Sequence, residues 1–235
     1  MDYSQLQYPS SKIPLLEAYE GRFNTAFIAL HPFFRMPTSE DWKPVDSSTD
    51  YPDRPYIRCY GKPVYWQTIM NAIDCNDLRR FYKGMRTSIS ALNWEYEDKE
   101  MAELISEYTD QADIYHPMEG YFAPLLIDPI TQYISDGQTN DLFYLEEFKE
   151  EPEVLSIEAA IQKDDQSWLR GSLFDVDVKR LATVSWDDFF TVIYGSRSEL
   201  DSLLENKSLE GFFCNHQTLH TWCWQDKPIK PIYTR

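Results

Sequence analysis

A chain of 235 residues with 39 carboxylates against 22 lysines and arginines carries a formal net charge of −17. Nucleic acids and anionic membrane surfaces are held by clustered Lys and Arg, so this balance excludes both on electrostatic grounds. A hydrophobic content of 43%, with 13 Phe, 16 Tyr and 7 Trp, suffices for a real core, and four cysteines are too few for a disulfide framework.

The first residues lack the basic and apolar regions of a secretory signal. No apolar run approaches the ~20 residues of a spanning helix. The expectation is a reducing, cytoplasmic setting with buried free thiols. Residues 1–14, polar and interrupted by Pro9 and Pro14, read as an extended arm draped on the body. Residues 23–30 read as a strand ended by His31 and Pro32, since proline cannot donate to a ladder. Four prolines make 35–55 a long irregular loop.

Helical spacing follows over residues 64–72. It recurs from about 77 to 92, where Leu78, Phe81, Tyr82, Met85, Ile89 and Leu92 share a stripe weakened by Gly84, and again over 97–111. Beyond His116 and Pro117, residues 121–127 and 142–148 read as strands, 129–134 as one or two helical turns, and 154–163 as a short helix. Alternating apolar and acidic residues over 173–178 predict a strand with one wet face, and the apolar run 189–194 predicts a central strand. Ser196 and Glu199 have capping-box spacing at the start of a helix, and 209–214 with 219–224 read as a closing hairpin. These elements predict an α+β fold, with a helical N-terminal half packed beside a mainly antiparallel sheet and a C-terminal β–α–β–β ending. Residues 1–235 read as a single domain, divisible into two lobes: 1–118, mainly helical, and 119–235, sheet-rich.

Ser185, Trp186 and Asp187, then Tyr194, Gly195, Ser196 and Arg197, then Leu209, Glu210, Gly211, Phe212 and Phe213 resemble a Firmicute family catalogued only as a domain of unknown function. The resemblance runs over residues 184–224, implies a bacterial cytosolic origin, and carries over no activity and no site residues. The ending is also loosely similar to bacterial toxin-immunity proteins, on architecture and acidity alone.

Three constellations could carry chemistry. Cys214, His216, His220 and Cys223 have the thiols and imidazoles of a tetrahedral zinc site. A regular hairpin, however, would separate Cys214 from Cys223 by roughly 13 Å and set His220 and Cys223 on opposite faces, so no metal is expected. Glu100, Glu103, Glu107 and Asp110 fall on one helix face at steps of 3, 4 and 3. Asp175 and Asp177 would share a strand face, with Asp187 and Asp188 beside them. The chain has no G-x-S-x-G elbow, S-x-x-K, H-E-x-x-H, P-loop or G-x-G-x-x-G. The reading is a non-catalytic binding or regulatory protein, immunity-like, that needs no cofactor and offers acidic surface to a basic protein partner through Glu100, Glu103, Glu107, Asp110, Glu146, Glu147, Glu150 and Glu151. The alternative is a hydrolase using carboxylates or a Cys–His pair in an aromatic-lined pocket.

Overall fold

The computed structural model describes residues 3–38, 51–135, 140–206, 209–224 and 232–233. In chain order the elements are β1 (Thr25–Leu30), β2 (Phe33–Arg35), α1 (Arg54–Tyr60), β3 (Lys62–Val64), α2 (Trp66–Ala72), α3 (Leu78–Ser88), α4 (Lys99–Gln111), α5 (Pro124–Ser135), β4 (Asp141–Glu146) and β5 (Glu153–Ser156). They continue as α6 (Ile157–Ser167), β6 (Gly171–Phe174), β7 (Leu181–Val184), β8 (Phe190–Gly195), α7 (Arg197–Asn206), β9 (Glu210–Phe213) and β10 (Ile232–Tyr233). The fold is α+β. The chain divides into two compact units: one takes the N-terminal segment to His31, Glu119–Thr221 and β10, and the other takes Pro32–Met118 with the 3-10 turn Trp222–Trp224.

The sheet unit is built on eight strands in the order β10-β9-β1-β8-β7-β6-β4-β5, with antiparallel pairing at every step. Its helices bury one apolar stripe each on one sheet face: Leu126, Ile127, Ile130 and Ile134 of α5, Ala160 of α6, and Leu200, Leu203 and Leu204 of α7 meet Phe27, Ile193, Ala182, Leu173 and Leu142. Both faces of β8 are buried, which its unbroken apolar sequence requires. The N-terminal segment supplies cover beyond the helices. Tyr19 and Phe23 pack on Tyr194 at 5.1 and 5.2 Å between ring centroids, and the Ser172 hydroxyl donates to Leu6 O at 2.7 Å.

The helical unit closes on aromatic rings. Phe33 meets Trp66 and Phe81 edge-on, Trp66 stacks on Tyr82, and Tyr82 meets Trp222 at 4.9 Å. The stripe of α3 buries Leu78, Phe81, Tyr82 and Met85, and α4 buries Met101, Ile105 and Thr109. A Cβ on Gly84 would stand 2.6 Å from Met101 Cγ, so the residue that weakens α3 is also the one that lets α4 approach.

Several sequence expectations are corrected. Residues 121–127 do not form a strand, because α5 starts at Pro124, a residue preorganised for a first helical turn. An apolar run of that length has no period to separate strand from helix. The strand expected over 173–178 stops at Phe174. The Asp175 carboxylate accepts the amides of Lys179 and Arg180 at 2.7 and 2.6 Å, closing a turn, and both faces of β6 are buried rather than one being wet. Residues 219–224 are not a hairpin strand: Leu219 bridges Pro14, Trp222–Trp224 is a 3-10 turn, and the strand beside β9 is β10. The helix expected from 154 begins at Ile157, where the Ser156 hydroxyl accepts the Ala159 amide and β5 precedes it. Most of the loop expected over 35–55 lies outside the described residues.

Candidate functional site

The acidic residues of α4 stand where their spacing puts them. Asp98 caps the helix by accepting the Met101 amide at 3.0 Å, which fixes the rotation that buries Met101 and Ile105. Glu100, Glu103, Glu107 and Asp110 are then exposed on the opposite side. Arg80 engages Glu100 at 2.6 Å, and it also holds Asp98 at 2.8 Å. Burial pushes the Asp98 carboxyl up, but the Arg80 and Met101 hydrogen bonds outweigh it and hold the group below its usual range. Leu104, at 37% exposure, lies among the carboxylates, and the turn before α4 exposes Trp94 and Tyr96.

Glu146, Glu147, Glu150 and Glu151 belong to the sheet unit. They occupy the end of β4 and the turn after it, with Glu150 and Glu151 exposed and Glu146 and Glu147 half-buried. Phe148 sits between them in the left-handed region (φ 68°) and is 76% exposed. Arg170 approaches Glu147 at 3.7 Å, but burial outweighs it and pushes the Glu147 carboxyl up.

A small pocket opens beside this turn, lined by Glu119, Gly120, Tyr121, Arg170, Trp186 and Asp187. Local structure explains each wall. Ser185 O accepts the Asp188 amide at 3.2 Å, making a turn between β7 and β8 whose two central residues are Trp186 and Asp187. A side chain at such a tip projects outward, and Trp186 is 56% exposed. The Gly120 amide donates to Asp188 O at 2.9 Å, and its φ of +75° is one that glycine adopts without steric cost. Gly171 (φ +103°) brings β6 against Glu146 and Glu147, where a Cβ would meet Leu145 O at 2.4 Å. That approach sets Arg170 between Glu147 and the face of Trp186, with its guanidinium 5.3 Å from the ring centroid. Trp168 (φ 56°) packs edge-on against Tyr121.

Sequence reasoning missed a second group in the same unit. Asp188 is fully buried, and its Oδ2 lies 2.5 Å from His220 Nε2 and accepts the Tyr8 hydroxyl at 3.3 Å. Tyr8 also meets the His220 ring edge-on at 4.6 Å. Asp188 resembles its neighbour Asp187 in sequence, and only the turn separates a pocket residue from a buried one. The remaining members of the proposed zinc string do not join His220. Cys214 donates its amide to Ala26 O, with burial pushing its thiol up. His216 is exposed on a turn, and Cys223 is buried in the other unit. Among the described residues, no three His, Cys, Asp or Glu side chains converge as a metal site would need. No helix among them is long and apolar enough to cross a membrane.

Comparison with known proteins gives a family without an activity. A family model described as "Protein of unknown function (DUF2711)" matches residues 11–224, so the likeness seen at 184–224 extends over most of the chain. The chain is also similar to "Uncharacterized protein YwbB" of Bacillus subtilis (strain 168), 25% identical over 228 residues that cover 94% of this chain and 99% of that protein. No solved structure matches it.

Proposed function

The chain belongs to DUF2711, a family of proteins of unknown function, and we propose that it is a non-catalytic binding or regulatory protein of the cytoplasm that presents acidic surface to a basic protein partner. The observation that carries this reading is the exposed face of α4. Glu103, Glu107 and Asp110 point outward with an apolar side chain between them, and among the described residues only Glu100 of the set is engaged by a cation. A row of like charges repels itself on a helix, and the row is relieved when a positive partner covers it. Complementary charge of this kind raises association rates and rejects wrong partners. The turn at Glu146–Glu151 offers a second acidic surface on the sheet unit.

Titration calorimetry with a deca-lysine peptide tests the reading. Binding is expected at 50 mM NaCl and should weaken at least ten-fold at 500 mM, as screening shortens the Debye length. Neutralising Glu103→Gln, Glu107→Gln and Asp110→Asn together should weaken it about five-fold or more, at a few tenths of a kcal/mol or more per exposed pair. Equal binding by the variant would remove α4 as the surface. Absence of binding at low salt would remove the reading.

The rival, a hydrolase, has one observation in its favour: the buried Asp188 carboxylate on His220. Among the described residues His220 makes no hydrogen bond to a Ser, Thr or Cys that it could activate, so the geometry supports the binder better.

A further inference from the structure

We infer that the open edge of β5 is a docking site for an extended, basic segment of the partner protein, which joins the sheet as one more strand. This rests on the binding reading above and names the shape the partner must present there.

The ladder decides which backbone groups the edge offers. β5 ends the sheet and pairs with β4 alone. The Ile157 amide donates to Asn140 O at 3.0 Å, which makes these two residues a hydrogen-bonded pair. Along an antiparallel ladder such pairs alternate with non-bonded ones. In this register Glu153 and Leu155 therefore bond to β4, while Val154, opposite Phe143, and Ser156, opposite Asp141, turn their amides away from it. Among the described residues nothing takes the Val154 N–H or C=O. The edge thus presents a donor and an acceptor at Val154 and a further donor at Ser156, the groups that an added antiparallel strand would satisfy.

Side chains specify what that strand carries. Val154 is 57% exposed and stands across from Phe143, whose ring stacks on Phe174 at 5.5 Å between centroids. An apolar residue opposite Val154 lengthens that row. Three carboxylates near the edge already have cations: Glu146 has Lys149, Glu147 has Arg170 and Glu153 has Lys163. Glu150 and Glu151 before the strand and Glu158 after it are exposed and, among the described residues, form no ion pair. Charge beside an edge guards it against self-pairing, and here it rejects a second copy of a chain whose net charge is −17. The same carboxylates favour lysine or arginine. The occupant is a partner segment in which apolar and basic residues alternate.

The probe is the end-capped heptapeptide Lys-Val-Lys-Val-Lys-Val-Lys. Amide hydrogen exchange, followed by NMR on the full chain, should slow at least ten-fold at Val154 and Ser156 when the peptide saturates. In titration calorimetry Val154→Pro should weaken the heptapeptide at least ten-fold, whereas Val154→Ala, which keeps the N–H, should weaken it two- to three-fold. Proline here removes a donor that β4 does not use, and circular dichroism checks that the variants fold. If Val154→Pro does not fold, exchange on the unmodified chain decides. Deca-lysine should bind Val154→Pro within two-fold of the full chain, because no charge changes. Failure of the heptapeptide to bind, unslowed exchange at the two amides, or equal heptapeptide affinity for Val154→Pro and the full chain would overturn the edge site, and deca-lysine binding would leave the acidic-surface reading standing. Failure of both peptides at 50 mM NaCl would overturn both.

Discussion

Asp188 and His116 show how single side chains gain roles from burial. Asp188 lies two residues beyond the exposed Trp186, yet its carboxylate is fully buried and ties Tyr8 of the N-terminal segment to His220 near the end of the sheet unit. His116, in the helical unit, sits edge-on against Phe33 with Nε2 2.8 Å from the Thr109 hydroxyl. That hydroxyl donates to Ile105 O at 2.8 Å, so the ring is the donor of the pair. Burial lowers the His116 pKa below its ordinary 6.5, with Asp110 pulling weakly the other way. The sign follows from linkage. As pH falls below 6.5 the unfolded chain takes up this proton first, so the stability that the neutral ring supports is whole above 6.5 and is lost as pH drops towards the folded pKa. Urea denaturation of the chain at pH 7.5 and 5.5 should show a loss that His116→Gln makes shallower, by at most about 1.4 kcal/mol per pH unit. Identical slopes for the two proteins would show that His116 does not titrate differently on folding.

Among elements, the α3–α4 pair and the approach of β6 to β4 at Gly171 both depend on a missing side chain. In α3, alanine in place of Gly84 would favour the helix by ~1 kcal/mol. The added methyl, however, would stand 2.6 Å from Met101 Cγ and 3.1 Å from Ile105 Cδ1, and overpacking of a tight contact costs about 1–3 kcal/mol. The second effect should win, so Gly84→Ala is expected to lower the thermal midpoint. A raised midpoint would show that Met101 can swing aside. At α7 the capping box works as its spacing implies: Glu199 Oε2 accepts the Ser196 amide at 3.1 Å while Ser196 Oγ accepts the Glu199 amide at 3.4 Å. Arg180 then holds the other oxygen at 2.6 Å. Burial pushes the Glu199 carboxyl up, and the Ser196 and Arg180 hydrogen bonds bring it below its usual range.

For the whole molecule, a net charge of −17 sets the balance. Exposed ion pairs such as Lys179 with Asp177, at 2.7 Å, or Arg197 with Asp201, at 3.0 Å, return only about 0–1 kcal/mol each. The uncompensated carboxylates repel one another throughout the compact state. Adding salt should therefore screen more repulsion than attraction. The thermal midpoint is expected to rise by a few degrees between 20 and 300 mM NaCl, as followed by circular dichroism. A falling midpoint would mean that ion pairs outweigh repulsion, and that the acidic surface is less in need of a cationic cover than proposed.

Periodicity and cap chemistry are local, so the sequence by itself determined α3, α4, the strands β1 and β8, the Ser196–Glu199 cap and the exposure of the α4 carboxylates. Residues 121–127 and 219–224 differ from their sequence pattern because a short apolar or aromatic run fits either period, and only the partners it meets decide between them. The pocket and the Asp188–His220 contact were invisible for a different reason. They join residues 119–121 with 170 and 186–187, and 8 with 188 and 220, positions with no spacing in common. Long-range contacts bring them together, through the Gly171 approach, the Gly120 amide on Asp188 O and the side-chain bonds of Asp188 to Tyr8 and His220, so tertiary structure decided where one aspartate is half-exposed and the next one is buried.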